Sequence, residues 1–139
     1  MRADEIEFRG KETCSKKWVY GHFCKDDDDK YVISFWERPV FLTNAEVFPE
    51  TVGQYTGIKY RTGEKVYEGD IVKWRNISGL EDGKGQVVWD SDYCGFYIID
   101  KEDGIFCESL YDFTQYRAFM GKKIGNIHDN PELLKGEEC

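Results

Sequence analysis

Apolar residues in this chain recur mostly at every second position, in short runs with glycine between them. That pattern makes strands, because period two sends alternate side chains to opposite faces of a sheet. The composition agrees. Four Trp, nine Tyr and nine Phe suit pleated, half-buried surfaces, and fourteen Gly supply turns. With 40% hydrophobic residues the chain has enough apolar matter to build a core. The expected fold is mainly β.

Along the chain, Ile6 and Phe8 alternate with charges. Trp18, Tyr20, His22 and Cys24 fall on one face of a strand, Val19 and Phe23 on the other. Tyr31–Trp36 is an apolar run, and polar Asp26–Lys30 precedes it. Residues 17–24 and 31–36 therefore predict a hairpin with an acidic tip, and Pro39 and Asn44 mark a break after it. Residues 49–64, with Pro49, Gly53, Gly57 and Gly63, read as loop, with a turn at Thr62-Gly63. The chain is expected to divide there, into an N-terminal β portion (1–57) and a C-terminal one (58–139).

In the second portion Asp70–Arg75 predicts a strand with Val72 and Trp74 on one face, and Ile71, Lys73 and Arg75 on the other. Asp82–Gly85 predicts a turn. Gln86–Asp90, Phe96–Asp100 and Ile105–Cys107 predict further strands, the last two joined by Asp103-Gly104. Ser109–Gly121 fits a helix, with Ser109 as N-cap and Gly121 as stop, as well as it fits a strand through Tyr116 and Phe119. Ile124–His128 reads as the last strand, and Asn130-Pro131-Glu132 opens a turn or two of helix through Leu133 and Leu134. Short strands across residues 66–128 suggest a small closed, barrel-like sheet burying Ile71, Val88, Ile98, Ile105 and Ile127.

Acids outnumber bases 27 to 19, for a net charge of −8. Such a chain is repelled by nucleic acid and by anionic membranes, both polyanions, unless it carries a local basic patch. No run of 18 apolar residues exists, so no membrane span is expected. The start of the chain lacks the apolar stretch of a secretory signal. Five cysteines without a C-x-x-C then read as reduced thiols in a cytoplasm.

Several motifs invite a chemical reading. Asp26–Asp29 has no glycine where a calcium loop needs one, so it reads as a solvated tip. Asp90–Gly95 has that glycine but presents Cys94 and Lys101 at ligand positions, and reads as an ordinary connection. Gly83-Lys84-Gly85 leads into a strand, unlike a phosphate cradle at a helix start. His22 and Cys24, with Cys14, Cys94 or Cys107, make an incomplete zinc set that no spacing enforces. With two histidines and no nucleophile or metalloprotease signature, neither catalysis nor a metal or cofactor is expected. Aromatics beside bases at Lys17-Trp18, Lys73-Trp74-Arg75 and Tyr116-Arg117 offer a stacking surface for nucleic acid, against the simpler reading of aromatics inside and bases outside.

Three blocks carry a family likeness. They are Val47-Phe48-Pro49-Glu50-Thr51-Val52-Gly53-Gln54-Tyr55-Thr56-Gly57, then Tyr67-Glu68-Gly69-Asp70-Ile71-Val72, then Ile124-Gly125-Asn126-Ile127-His128-Asp129-Asn130-Pro131-Glu132-Leu133-Leu134. With Ile6–Lys11 and Trp18-Val19-Tyr20-Gly21 at the start, the ordered set closely resembles the YopX family, small proteins of temperate phages and prophages of Gram-positive bacteria. The resemblance implies an SH3-like small barrel in the C-terminal half, an N-terminal β-hairpin portion and one or two short helices. It implies no activity and no catalytic residue. The chain departs from the family pattern at Glu37–Glu46 and at Ser109–Lys122.

Within those blocks Gly69 suits a turn conformation that other residues resist, Asp70 can accept from nearby amides, Tyr55 is a loop anchor, and Asn126 can tie a turn to the sheet. Trp18, Tyr55, Lys73, Trp74, Arg75 and Asn126 make up the candidate binding face. The expected function is a non-enzymatic interaction module binding a protein partner or itself. The alternative is nucleic-acid binding through the aromatic and basic face around Trp74 and Arg75.

Overall fold

The computed structural model describes residues 3–74, 83–99, 107–110 and 121–134. The chain packs as two units, Met1–Gly57 and Ile58–Cys139. Among the described residues it is built of antiparallel strands with three short 3-10 helices.

The first unit contains β1 (Phe8–Lys11), β2 (Trp18–Lys25), β3 (Tyr31–Arg38), β4 (Phe41–Glu46) and most of β5 (Gly53–Lys59). Sheet order is β4-β3-β2-β1-β5, and β6 (Lys65–Tyr67), in the second unit, follows β5. The predicted acidic hairpin forms, with His22 opposite Ser34 and Lys25 opposite Tyr31. Its tip is shaped by Asp26, whose Oδ1 accepts the backbone N–H of Asp28 (2.9 Å) and of Lys30 (3.0 Å). Buried Val32, Ile33, Ala45, Val47 and Tyr55 supply apolar packing.

Two expectations fail in this unit. Asn44 does not break the chain; it lies inside β4 opposite Ser34, whose hydroxyl donates to its Oδ1 at 2.6 Å. Residues 53–59 are a strand, not a loop. Gln54 and Gly53 pair with Phe8 and Arg9, so β1 supplies the ladder that outweighs the glycine signal. The reading holds on either side of β5, where Pro49–Thr51 is a 3-10 turn and Thr62-Gly63 turns with Gly63 at φ +90° and its N–H on the Tyr60 carbonyl.

The second unit holds β7 (Asp70–Trp74), β8 (Gly83–Asp90), β9 (Gly95–Ile99), β10 (Cys107–Ser109) and β11 (Gly121–Asn126), in the order β10-β9-β8-β7-β11. The sheet is open, with β10 and β11 at its edges; the expected SH3-like closure is not present among the described strands. Val66, Val72, Trp74, Val87, Ile98 and Leu110 form the core, with Ile58, Tyr60 and Phe96 against it. Ile71 and Ile98 are buried as expected, but Val87 takes the place predicted for Val88. Val87 is opposite Ile98 on the core face, which leaves Val88 on the other face opposite Tyr97. Ile127 is only half-buried.

Gly83-Lys84-Gly85 is also not a turn. It starts β8, where Gly83 pairs with Trp74 and Gly85 with Val72. A Cβ on Gly83 would lie 2.5–2.8 Å from the Trp74 indole, so the glycine makes room for the ring. The last strand begins at Gly121 and ends at Asn126, where the chain turns through Ile127 and His128 before the 3-10 helix Pro131–Leu134. The Asp103-Gly104 turn, Ile105, and the helix-or-strand segment between Leu110 and Gly121 lie outside the described residues.

Candidate interaction surface

Three residues of the anticipated binding face, Tyr55, Trp74 and Asn126, are buried. Strand alternation puts Lys73 in solvent and Trp74 in the core, where it is 4% exposed. The central ring of the stacking surface is therefore inside the protein. Arg75 lies outside the described residues. Tyr55 is buried, and its N–H donates to the Glu7 carbonyl at 2.8 Å. Trp18 is half-buried, with the guanidinium of fully buried Arg9 at 4.7 Å from its ring, a cation–π contact in a desolvated setting.

Asn126 ties the turn that follows β11. It is buried; its Oδ1 accepts the N–H of His128 (3.0 Å) and Asp129 (2.9 Å), and its Nδ2 donates to Asp129 Oδ2 (3.1 Å). Asp70, its cross-strand partner at the same end of the ladder, does similar work. Its fully buried carboxylate accepts from the Tyr60 hydroxyl (2.8 Å) and the Tyr67 N–H (2.9 Å), while Lys123 Nζ is 3.7 Å away and also 3.1 Å from Glu64. The turn into Asp70 runs through Gly69 at φ +95°, a conformation that costs a side-chain-bearing residue energy.

The acidic motifs are turn-formers. Asp26 caps its own loop, and Asp90 Oδ1 accepts the N–H of Asp92 (2.9 Å) and Tyr93 (3.3 Å). Among the described residues no three His, Cys, Asp or Glu side chains gather as a metal site. Cys14, Cys24 and Cys94 are free thiols at the surface. No described helix is long and apolar enough to cross a membrane.

The surface that does stand out lies where the sequence, with Pro39 and Asn44, predicts a break. At the β3–β4 hairpin Trp36 is 62% exposed, Val40 79%, Phe41 60% and Leu42 50%. Trp36 and Leu42 are cross-strand partners, so their side chains lie together on one face of the hairpin. β4 is also the edge strand of its sheet. The sequence held a signal: Val40-Phe41-Leu42 is a consecutive apolar triplet beside Pro39, and three neighbours in a strand cannot all face inward. A smaller group lies on the β8–β9 hairpin. There Trp89 meets Phe96 edge-on at 5.2 Å, and exposed Tyr93 is 5.7 Å from Tyr97. Neither surface carries a constellation for acid–base or nucleophilic chemistry. Both offer apolar area and hairpin backbone.

A family model described as YopX protein matches residues 2–135. The crystal structure of protein EF1440 from Enterococcus faecalis resembles this chain with a TM-score of 0.55 at 22% identity, over 94% of this chain and 98% of that one. At that identity the likeness speaks for the fold alone. No curated protein matches. With nearly its whole length matched, the chain belongs to the YopX family.

Proposed function

We propose that this chain is a non-enzymatic accessory protein of YopX type, of phage or prophage origin and cytoplasmic, that works by binding protein through the β3–β4 hairpin. One observation carries the reading. Trp36, Val40, Phe41 and Leu42 gather at a sheet edge with half or more of each side chain in solvent. Trp36 and Leu42 share one face, Phe41 takes the other and Val40 the turn, and together they expose roughly 400–500 Å² of apolar surface around the hairpin end. Trp and Phe are efficient anchors because they bring large area with few rotatable bonds.

The nucleic-acid alternative depends on aromatic rings beside bases. Trp74 is turned into the core, and the exposed rings Trp89 and Tyr93 stand beside Asp90 and Asp92. Acidic neighbours repel a phosphate backbone. The protein-binding reading is tested by affinity capture from host cells with wild type, Trp36→Ala and Phe41→Ala as baits. A partner held by wild type and lost by both variants is the expected result. No partner, or partners held equally by all three, refutes it. Binding to single-stranded DNA or RNA at low salt would favour the alternative instead.

A further inference from the structure

We infer that the partner of the β4 edge is a second copy of this chain, paired antiparallel about a two-fold axis at Leu42. The inference rests on the protein-binding reading and names its partner. Backbone direction comes first. The Val47 N–H donates to Tyr31, on β3, at 2.9 Å, whereas the Glu46 carbonyl accepts from Thr13 at 3.0 Å, on the other side. Strand alternation then points the N–H and C=O of Leu42 and Asn44 away from β3. Thr13 covers the Glu46 end, so the stretch from Leu42 to Asn44 is the part of the edge left for another strand.

This stretch lacks the usual guards of an edge. Phe41-Leu42-Thr43-Asn44-Ala45 holds no charge and no proline. A two-fold axis needs outward-pointing residues opposite each other, which allows few registers. Centred on Thr43, the pairing sets Leu42 against Asn44 of the other copy, apolar against polar. Centred on Leu42, the two Leu42 residues exchange both backbone hydrogen bonds, and the row across the axis reads Trp36, Leu42, Leu42, Trp36. Every member of that row is at least half exposed in one copy. Phe41 then lies opposite Thr43, with Val40 in the hairpin turn just beyond, so no like charges meet within the ladder.

Area sets the strength. The roughly 400–500 Å² of apolar surface per copy is about half of the ~800 Å² per partner in a standard interface. Such a dimer is weak, at the low end of specific interfaces. Each copy carries −8, so salt strengthens the association by screening repulsion. A complex held by charge attraction, as with nucleic acid, weakens with salt.

The test is sedimentation velocity of the full chain from about 1 μM to about 1 mM, at roughly 50 mM and 500 mM salt. The expected result is a monomer–dimer equilibrium that tightens with salt. Leu42→Lys, which sets two ammonium groups at the axis, should raise the dissociation constant more than tenfold. Circular dichroism checks its fold, and Trp36→Ala provides a second variant should Leu42→Lys unfold. A wild type that stays monomeric throughout overturns the inference. So does a dimer indifferent to both variants, which would use another face. A monomer that still captures a different protein in a Trp36-dependent way overturns the second-copy partner and leaves the protein-binding reading standing.

Discussion

Asp70 is the position where loss of one side chain should damage the second unit most informatively. Its carboxylate is fully buried and accepts from the Tyr60 hydroxyl and the Tyr67 N–H, with Lys123 beside its other oxygen. Asp70→Ala strands the Tyr67 N–H in a buried setting, at about 1–3 kcal/mol. The Tyr60 hydroxyl is in a part-buried bond and recovers some of its loss from water, leaving about 0.5–1.5 kcal/mol. Lys123 keeps Glu64, so the lost ion pair adds less than the loss of a fully buried pair. The total is about 3–5 kcal/mol, a large part of the ~5–15 kcal/mol that holds a small protein together. Asp70→Asn retains a carbonyl oxygen for the two donors and loses mainly the attraction to Lys123, about 1–3 kcal/mol. Urea unfolding followed by tryptophan fluorescence reads both. Trp74 and Trp89 report on the second unit, and substituting Trp18 and Trp36 by Phe in the background removes the signal of the first. The reasoning is refuted if Asp70→Ala costs under about 1 kcal/mol, or if Asn costs more than Ala.

Gly83→Ala drives a methyl into the Trp74 indole and should cost about 1–3 kcal/mol, seen in urea melts with a changed near-ultraviolet dichroism of that ring. Asn126→Ala removes three hydrogen bonds from the turn after β11 and should cost about 1–3 kcal/mol, with faster amide exchange at His128 and Asp129. Asp26→Ala should lower thermal stability measurably through loss of its two loop hydrogen bonds, whereas Asp27→Ala should fall within the ~0.5 kcal/mol of ordinary surface changes. Trp74→Ala should cost about 3–5 kcal/mol and leave capture of a partner intact wherever the fold survives; Trp36→Ala should leave stability nearly unchanged and abolish capture.

Much of the fold was legible where period and turn chemistry agree. The β2–β3 hairpin and the start of β7 needed only alternation and a polar turn. Gly69, Asp70 and Asn126 could be read locally, because each acts on amides or turn geometry a few residues away. Most of the differences share one cause: a turn-forming residue sits inside a ladder because a neighbouring strand requires or tolerates it there, as with Gly53, Gly83 and Asn44. Gly53 pairs with Arg9 from far along the chain, and Gly83 is small because Trp74 is large. Neither fact is visible within a short window. The offset between Val87 and Val88 has the same origin, since a strand's phase is set by its partners' register and a slip of one residue exchanges its faces.

The same argument explains why the candidate site moved. Trp36 and Trp74 each close a short apolar run in the sequence and are followed closely by an arginine, so local pattern treats them alike. What separates them is the position of their strands. β7 lies between β8 and β11, and the face bearing Val72 and Trp74 is covered by the core. β3 is paired beyond Trp36 only with β4, the edge of its sheet, and the ring is left in water. A strand's place in sheet order is a long-range property, and exposure follows from it more than from residue type. An aromatic at an edge hairpin has kept its area for something other than the core of its own fold.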